Sequence, residues 1–247
     1  MFRFISKNWI NMNILFINYY PTYRLDKDQT HHSIEYLINP LFNFFEQQGH
    51  TINQINIEEL NILPCIGCSH DPFFVPMDYC RQDDDMNRLY PILRSSDFWF
   101  FNIAINQKHL PKQLCNFLDR LEPLFDKDES ILLSEGNGHK IPNKGYVYLL
   151  ATSEYWGNEV FQELVQEIQT IAFLFNRQYL GELLRPHLGV YVHKYILPNF
   201  NLFNQSINKL GSSIISNNLS NSINGSDLTQ FVIDKDEFEN NFAKFVF

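Results

Sequence analysis

The stretch MNILFIN, residues 12–18, is a short run of branched and aromatic side chains that contains no charged residue. Such a run is typical of a β-strand buried on both faces of a sheet. From about Ser33, apolar residues recur at steps of three and four, as on one face of a helix: Ile34, Leu37, Ile38, Leu41, Phe42 and Phe45. Gly49 then ends the helix, and residues 51–57 alternate as a second strand would. This order predicts two parallel strands joined by a right-handed crossover.

The same alternation continues along most of the chain. It predicts further strands at 97–103 and 146–151, two strand candidates at 178–184 and 190–195, and helices at 86–93, 110–124 and 160–175. Strands that alternate with amphipathic helices predict an α/β domain with a doubly wound, five-stranded parallel sheet. We therefore divide the chain into an N-terminal extension (1–11), an α/β domain (12–197), and a C-terminal helix with an Asn- and Ser-rich tail (198–247).

Composition excludes several classes of partner. The 247 residues include 19 basic and 28 acidic side chains, a formal net charge of -9, and the basic residues form no cluster. A phosphate backbone would require such a cluster, so nucleic acid is not an expected partner. No segment approaches the ~20 apolar residues of a membrane span, and no signal peptide is recognisable. Four cysteines without a disulfide framework favour a cytoplasmic location.

Several short motifs occur in a fixed order along the chain. They are Pro-Cys-Ile-Gly-Cys at 64–68, Cys80, Asp-Asp-Met at 84–86, Ser-Asp at 96–97 and Phe-Leu-Asp-Arg at 117–120. In this order they resemble the NAD(P)H-dependent FMN reductases of the flavodoxin-like class, which include the iron-sulfur flavoproteins. The resemblance covers roughly residues 12–190.

The resemblance carries expectations about fold and activity. It implies a flavodoxin-like, three-layer α/β/α sandwich with strand order 2-1-3-4-5. It also implies an oxidoreductase with FMN as cofactor and NADPH or NADH as reductant, passing electrons to a quinone, a flavin or another small acceptor. A homodimer is expected for the same reason. Flavin chemistry belongs to the cofactor, so no catalytic side chain is predicted.

The expected cofactor site follows from the topology and the resemblance together. In open α/β sheets, ligands bind outside the carboxyl ends of the strands at the switch point. The FMN phosphate is expected at the start of the helix near Ser33, where the helix N-terminus favours an anion. The candidate phosphate ligands are Tyr20, Arg24, Thr30, His32 and Ser33, and the candidate ring contacts are Ala104, Ile105, Asn106, Gln107, Thr152, Ser153, Trp156 and Gly157. Two alternatives remain: Thr30 or Ser33 caps the helix, and Trp156 packs on the following helix.

Two cofactor loops depart from the family pattern. The first loop has Tyr19-Tyr20-Pro21 and a longer insert where the family has a Gly-containing phosphate loop. Residues 104–108, Ala-Ile-Asn-Gln-Lys, replace the family's Pro-x-Tyr-Trp-Gly. These departures support a second hypothesis, in which the domain has lost its cofactor and serves as a binding or structural partner.

The cysteines, acids and histidines have structural alternatives. Cys65 and Cys68 are compatible with a redox disulfide, a metal site or a structural role. Asp71 stands where related proteins have a third cysteine, so neither a [4Fe–4S] cluster nor another metal site is predicted. The acids at 83–85 are expected to cap the following helix. Asp119-Arg120 at the helix end is expected to be an ion pair that fixes the helix to a neighbour rather than a catalytic dyad, and His187 receives no role.

Overall fold

The computed structural model describes residues 11–20, 32–68, 80–105, 109–124, 144–191 and 196–216, with the backbone alone at 32, 33, 190 and 191. The strands are β1 (Asn13–Tyr19), β2 (Thr51–Asn56), β3 (Phe98–Ile105), β4 (Gly145–Ser153) and β5 (Arg177–Arg185). The helices are α1 (His32–Gln47), α2 (Met86–Ser95), α3 (Lys112–Asp119), α4 (Gln162–Leu174), the single turn α5 (Leu188–Tyr191) and α6 (Phe200–Ile215). The insert at 21–31, which contains the predicted phosphate ligands Arg24 and Thr30, lies outside the described residues.

The five strands form one parallel sheet in the order β2-β1-β3-β4-β5. This confirms the predicted fold class and strand order. The direction of chain progression reverses between β1 and β3, which is the switch point of such a sheet. Opposite this point Asn18 on β1 pairs in register with Asn56 on β2 and with Asn102 on β3.

Alternating side chains of the central strands enter two separate cores, one on each face of the sheet. Leu15, Phe101 and Val147 belong to the core beneath α2, α3 and α4. Phe16 and Phe100 belong to the core beneath α1 and α6. Fully burying a side chain of this kind stabilises the fold by roughly 1.5–3 kcal/mol. Apolar contacts with the buried side chains of these strands therefore hold both helical layers on the sheet. The result is the predicted three-layer sandwich.

Helix α6 completes the layer that α1 begins. Four of its apolar side chains are buried in the same core as the sheet: Phe203, Ile207, Leu210 and Ile214. The helix predicted for the C-terminal region therefore contributes to the core of the α/β domain. The division of the chain at residue 198 stays a prediction.

The structure corrects several predicted boundaries. Strand β3 extends through Ala104 and Ile105, and β4 extends through Thr152 and Ser153, because these residues pair with each other in register. The strand candidate at 190–195 is wrong for its first two residues, which end α5. The left-handed backbone of His187 (φ 42°) ends the extended conformation after β5 and lets the chain turn into α5. Among the described residues, no helix is long and apolar enough to cross a membrane.

Candidate functional site

A row of polar side chains lies across the carboxyl ends of the three strands that meet at the switch point. The Nδ2 of Asn18 donates to Oδ1 of Asn56 at 3.1 Å, and the Nδ2 of Asn102 donates to Oδ1 of Asn18 at 3.2 Å. Asn18 and Asn102 are both buried. A buried amide is tolerated only when it is hydrogen-bonded, so the three asparagines support one another at this edge.

The next row toward the strand ends continues on the same face of the sheet. It contains Tyr20 after β1, Ala104 on β3 and Thr152 on β4, since alternate residues of a strand point to the same side. Asn102 also donates from Nδ2 to the Tyr20 hydroxyl. Burial, and after it the negative charge of Glu35 in the first turn of α1, raises the pKa of Tyr20. The Tyr20 hydroxyl is therefore neutral and can act as a hydrogen-bond donor at all physiological pH values.

Two buried polar atoms in these rows have no hydrogen-bond partner among the described residues. They are Oδ1 of Asn102, whose residue is 0% exposed, and Oγ1 of Thr152, whose residue is 1% exposed. Leaving a buried polar atom unpaired costs about 1–3 kcal/mol, and such exceptions call for an explanation. Both atoms lie on the face that α1 covers, at the end of the sheet where α1 begins. Polar groups of a ligand would satisfy them there.

The segment after β4 is not part of these rows of polar side chains. It is held in place by contacts with the residues that follow β5. The N–H of Tyr155 donates to Oγ of Ser153 at 3.0 Å, which forms a local turn. The indole of Trp156 stacks on the imidazole of His187, with the ring centroids 4.9 Å apart and the planes inclined by 15°. Trp156 remains partly exposed. This contact differs from the alternative considered from sequence, in which Trp156 packs on the following helix.

The histidine of this stack and two nearby side chains are ionisable. Burial and the charge of nearby Arg185 lower the pKa of His187 to about 4, so the imidazole is neutral at physiological pH. Burial raises the pKa of Glu154, while the N–H of Gly189, donating to its Oε2 at 3.1 Å, opposes that rise. Arg185 is the last residue of β5 and pairs in register with Thr152. Sequence reasoning missed all three residues, and a Pro-His pair directly after a strand was the only available signal.

The structure brings together some of the predicted cofactor contacts and separates others. Tyr20, Ala104 and Thr152 share the face that α1 covers, whereas Ile105 and Ser153 point to the opposite face. The Ile105 side chain belongs to the core beneath α2, α3 and α4, so only its backbone is available to a ligand. Gly157 follows Trp156 in the segment after β4. Arg24, Thr30, Asn106 and Gln107 lie outside the described residues, and His32 and Ser33 are described only as the backbone that begins α1.

On the face of the sheet opposite α1, the motif residues form a buried ion pair. Two nitrogens of Arg120, Nη1 and Nη2, donate to the two oxygens of Asp84 at 2.8 and 2.9 Å. Nη1 also donates to the Leu63 carbonyl at 2.8 Å. Burial alone would raise the pKa of Asp84, but hydrogen bonds from Arg120, Leu63 and Met86 outweigh it and leave that pKa below its ordinary value. Asp84 thus accepts the N–H of Met86 at the start of α2, as expected for the acids at 83–85, while Asp85 in the N-cap position makes no side-chain capping hydrogen bond. Arg120 pairs with Asp84 of a neighbouring element, whereas the predicted pair is Asp119-Arg120.

This ion pair positions the loop that contains the first two cysteines. Cys65 is exposed and Cys68 partly buried, whereas Cys80 is buried, and all four cysteines are free thiols. No cluster of three or more His, Cys, Asp or Glu side chains with metal-binding geometry occurs within the described residues. The Asp-Asp-Met and Phe-Leu-Asp-Arg motifs therefore have a structural explanation, which is the attachment of this loop to α2 and α3.

Comparisons with known proteins agree on the architecture. No family model matches the chain, and no curated protein matches its sequence. RosB with a bound 8-demethyl-8-formylriboflavin-5'-phosphate intermediate superimposes with a TM-score of 0.54 at 13% identity, over 84% of this chain and 79% of RosB. An NAD(P)H:quinone oxidoreductase from Methanothermobacter marburgensis gives 0.50 at 10% identity, over 83% of this chain and 97% of that one.

A third similar structure is a flavone reductase, with a TM-score of 0.51 at 14% identity over 82% of this chain. The chain spans 64% of the length of that reductase. At such identities, structural similarity establishes the fold and nothing beyond it. The chain is therefore a flavodoxin-like α/β protein, as its strand order and helical layers require.

Proposed function

We propose that this protein binds FMN at the carboxyl edge of its sheet and acts as an NAD(P)H-dependent oxidoreductase. Electrons from NADPH or NADH would pass through the flavin to a quinone, a flavin or another small acceptor. The observation that carries the proposal is the pair of buried, unpartnered polar atoms, Asn102 Oδ1 and Thr152 Oγ1, beside the start of α1. The structural neighbours support it, because their names describe a flavone reductase, an NAD(P)H:quinone oxidoreductase and a protein with a bound riboflavin-phosphate derivative.

The residues present fit a flavin at this edge. The first turn of α1 provides backbone N–H groups and a positive dipole end for a phosphate. Thr152 and Tyr20 offer hydroxyl groups on the same face, and Trp156 offers an aromatic surface at the end of β4. A bound flavin would supply the hydride-accepting chemistry, while this chain would bind it, orient it and exclude water from it. Arg24, Thr30, His32, Ser33, Asn106 and Gln107 remain proposed contacts.

A second candidate function is a cofactor-free domain that binds a partner. The specific observation in its favour is that two predicted ligands already have partners within the chain. The Tyr20 hydroxyl accepts a hydrogen bond from Asn102, and the Trp156 indole stacks on His187. Glu35 in the first turn of α1 also places a negative charge where a phosphate would lie. Direct measurement of FMN binding separates the two functions.

Thr152→Val tests the proposed site by its opposite effects on two properties. Without FMN, the variant is expected to be as stable as the wild type or more stable, because it removes a buried unpaired hydroxyl. With FMN, loss of one hydrogen bond is expected to weaken binding about three- to tenfold. Quenching of FMN fluorescence during titration of the cofactor-free protein measures the affinity, and chemical denaturation measures the stability.

The matched control is Thr170→Val, which removes an exposed hydroxyl on α4 that donates to the Gln166 carbonyl. This control is expected to leave FMN binding unchanged. Equal FMN affinity in the wild type and in Thr152→Val would contradict this placement of the cofactor. A wild-type protein that shows no saturable quenching would remove the oxidoreductase proposal and leave the cofactor-free partner domain.

The proposal extends to assembly and compartment. The resemblance to FMN reductases supports a homodimer, because the sites of that family are commonly completed across two subunits. The four free thiols support a cytoplasmic location, where cysteines are kept reduced.

A further inference from the structure

The segment after β4 is attached to the turn after β5 at three points or more. The N–H of His187 donates to the Tyr155 carbonyl at 2.9 Å, and the N–H of Gly189 donates to Oε2 of Glu154 at 3.1 Å. The third point is the stack between the rings of His187 and Trp156. The backbone and side chains of Glu154–Trp156 are thereby fixed against the domain. Segments that connect elements at the edge of a sheet are usually more mobile than this.

Several features of this attachment cost free energy. His187 has a left-handed backbone (φ 42°), its side chain is fully buried, and its pKa is lowered by burial and by Arg185. Glu154 is a partly buried carboxylate whose pKa is raised by burial. A Cβ at Gly189 would lie 3.1 Å from Oε2 of Glu154, so a larger residue would disturb the contact. Backbone strain combined with buried ionisable groups is concentrated at functional sites.

We propose that His187 and Glu154 are positioning residues that hold Trp156 in place as an aromatic wall of the flavin site. This inference rests on the proposed function, because it assigns Trp156 to the cofactor. His187 acts through Trp156 by supporting the indole with a flat, neutral ring. Glu154 acts through the backbone by fixing the residues directly before Trp156. Neither side chain is required to exchange a proton.

Two substitutions at His187 distinguish the effect of its flat ring from the effect of its ring nitrogens. His187→Asn removes the ring and keeps a residue type that tolerates a positive φ. His187→Phe keeps a flat ring and removes the ionisable nitrogens. The matched control is His50→Asn, which alters a buried histidine at the opposite end of the sheet, where its Nδ1 accepts from the N–H of Met12. Glu154→Ala removes the second tie while leaving both rings of the stack in the chain.

The first measurement uses the protein without FMN. Tryptophan emission is quenched with acrylamide, and subtraction of the matching Trp156→Phe protein isolates the Trp156 signal. In His187→Asn and Glu154→Ala we expect Trp156 to become more accessible to the quencher, whereas in His187→Phe and His50→Asn we expect no change. Unchanged accessibility in both His187→Asn and Glu154→Ala would overturn the proposal.

The second measurement is FMN affinity by fluorescence titration. Loss of an ordered aromatic contact is expected to weaken FMN about three- to tenfold in His187→Asn, with recovery to near the wild-type value in His187→Phe. Wild-type affinity in a His187→Asn protein whose Trp156 is more accessible would overturn the positioning role while leaving FMN binding intact. Equal weakening in His187→Phe and His187→Asn would also overturn it. Absence of FMN binding in every protein, including the wild type, would overturn the proposed function and this inference with it.

Discussion

Arg120 and Asp84 form a fully buried ion pair. Their side chains are 1% and 0% exposed, and the two hydrogen bonds between them are nearly equal in length. Asp84 also accepts from the N–H groups of Leu63 and Met86, so its carboxylate joins the cysteine loop to α2. A carboxylate in this environment depends on its cation, because removal of one partner leaves the other charge buried and uncompensated.

Replacing Arg120 with Met is therefore expected to be strongly destabilising. The free energy of unfolding should fall by about 3–5 kcal/mol, the usual effect of breaking a buried pair. Arg88→Met is the matched control, because Arg88 pairs with Asp85 at 3.2 Å while its side chain is 64% exposed. Exposed pairs contribute about 0–1 kcal/mol. Urea unfolding of the three proteins measures both effects, and a similar loss of stability in the two variants would contradict the assigned role of Arg120.

The roles of individual residues could be predicted where they depend only on neighbouring residues in the sequence. The acids at 83–85 directly precede an amphipathic helix, so a capping role for Asp84 could be foreseen. The roles of His187 and Glu154 could not be predicted from the sequence, because they depend on a contact between the turn after β5 and the segment after β4. The unpaired states of Asn102 Oδ1 and Thr152 Oγ1 depend on strand register, which the sequence does not reveal.

At the level of elements, the packing of α6 on α1 depends on one small residue. Gly211 lies on α6 opposite the Phe44 ring of α1, and a Cβ at this position would overlap that ring. Four apolar side chains of α6 enter the core on either side of Gly211.

The same two helices border an open groove of about 530 Å³ whose lining includes Phe44 and Phe200.

Gly211→Ala is expected to destabilise the protein even though alanine is the better helix former. In an isolated helix the change would add about 1 kcal/mol of stability. Here the new methyl group must displace Phe44, and overpacking of this kind typically costs about 1–3 kcal/mol. Ser212→Ala is the control, since Ser212 is exposed and its hydroxyl donates only to the Asn208 carbonyl. A Gly211→Ala protein that unfolds at a higher denaturant concentration than the wild type would contradict close packing of these helices.

Element positions were predictable to within a few residues, and the exceptions have a common cause. The predicted ends of β3 and β4 fell short because Ala104, Thr152 and Ser153 are small or polar and interrupt the apolar runs. Pairing between the two strands nevertheless extends them. In the strand candidate at 190–195, the first two residues are helical and end α5.

On the scale of the whole molecule, the alternation of buried strands and amphipathic helices was sufficient to predict the parallel sheet, and the family resemblance supplied its strand order. Parallel strands need long crossovers, and right-handed crossovers leave few possible topologies. The candidate site was less predictable, since Tyr20, Trp156 and Gly157 follow the ends of strands, where the sequence has no regular pattern. What the topology does establish is that β1, β3 and β4 end at one edge of the sheet, beside the start of α1.

The central claim is that a flavin bound at this edge accepts electrons from a nicotinamide nucleotide. The most direct test is to mix FMN-loaded protein anaerobically with NADPH and, separately, with NADH, and to follow the long-wavelength absorbance band of the flavin. We predict that at least one nucleotide abolishes the band faster than it does with free FMN, and that a quinone added afterwards restores it. FMN that is bound by the protein and keeps its band with both nucleotides would contradict the claim.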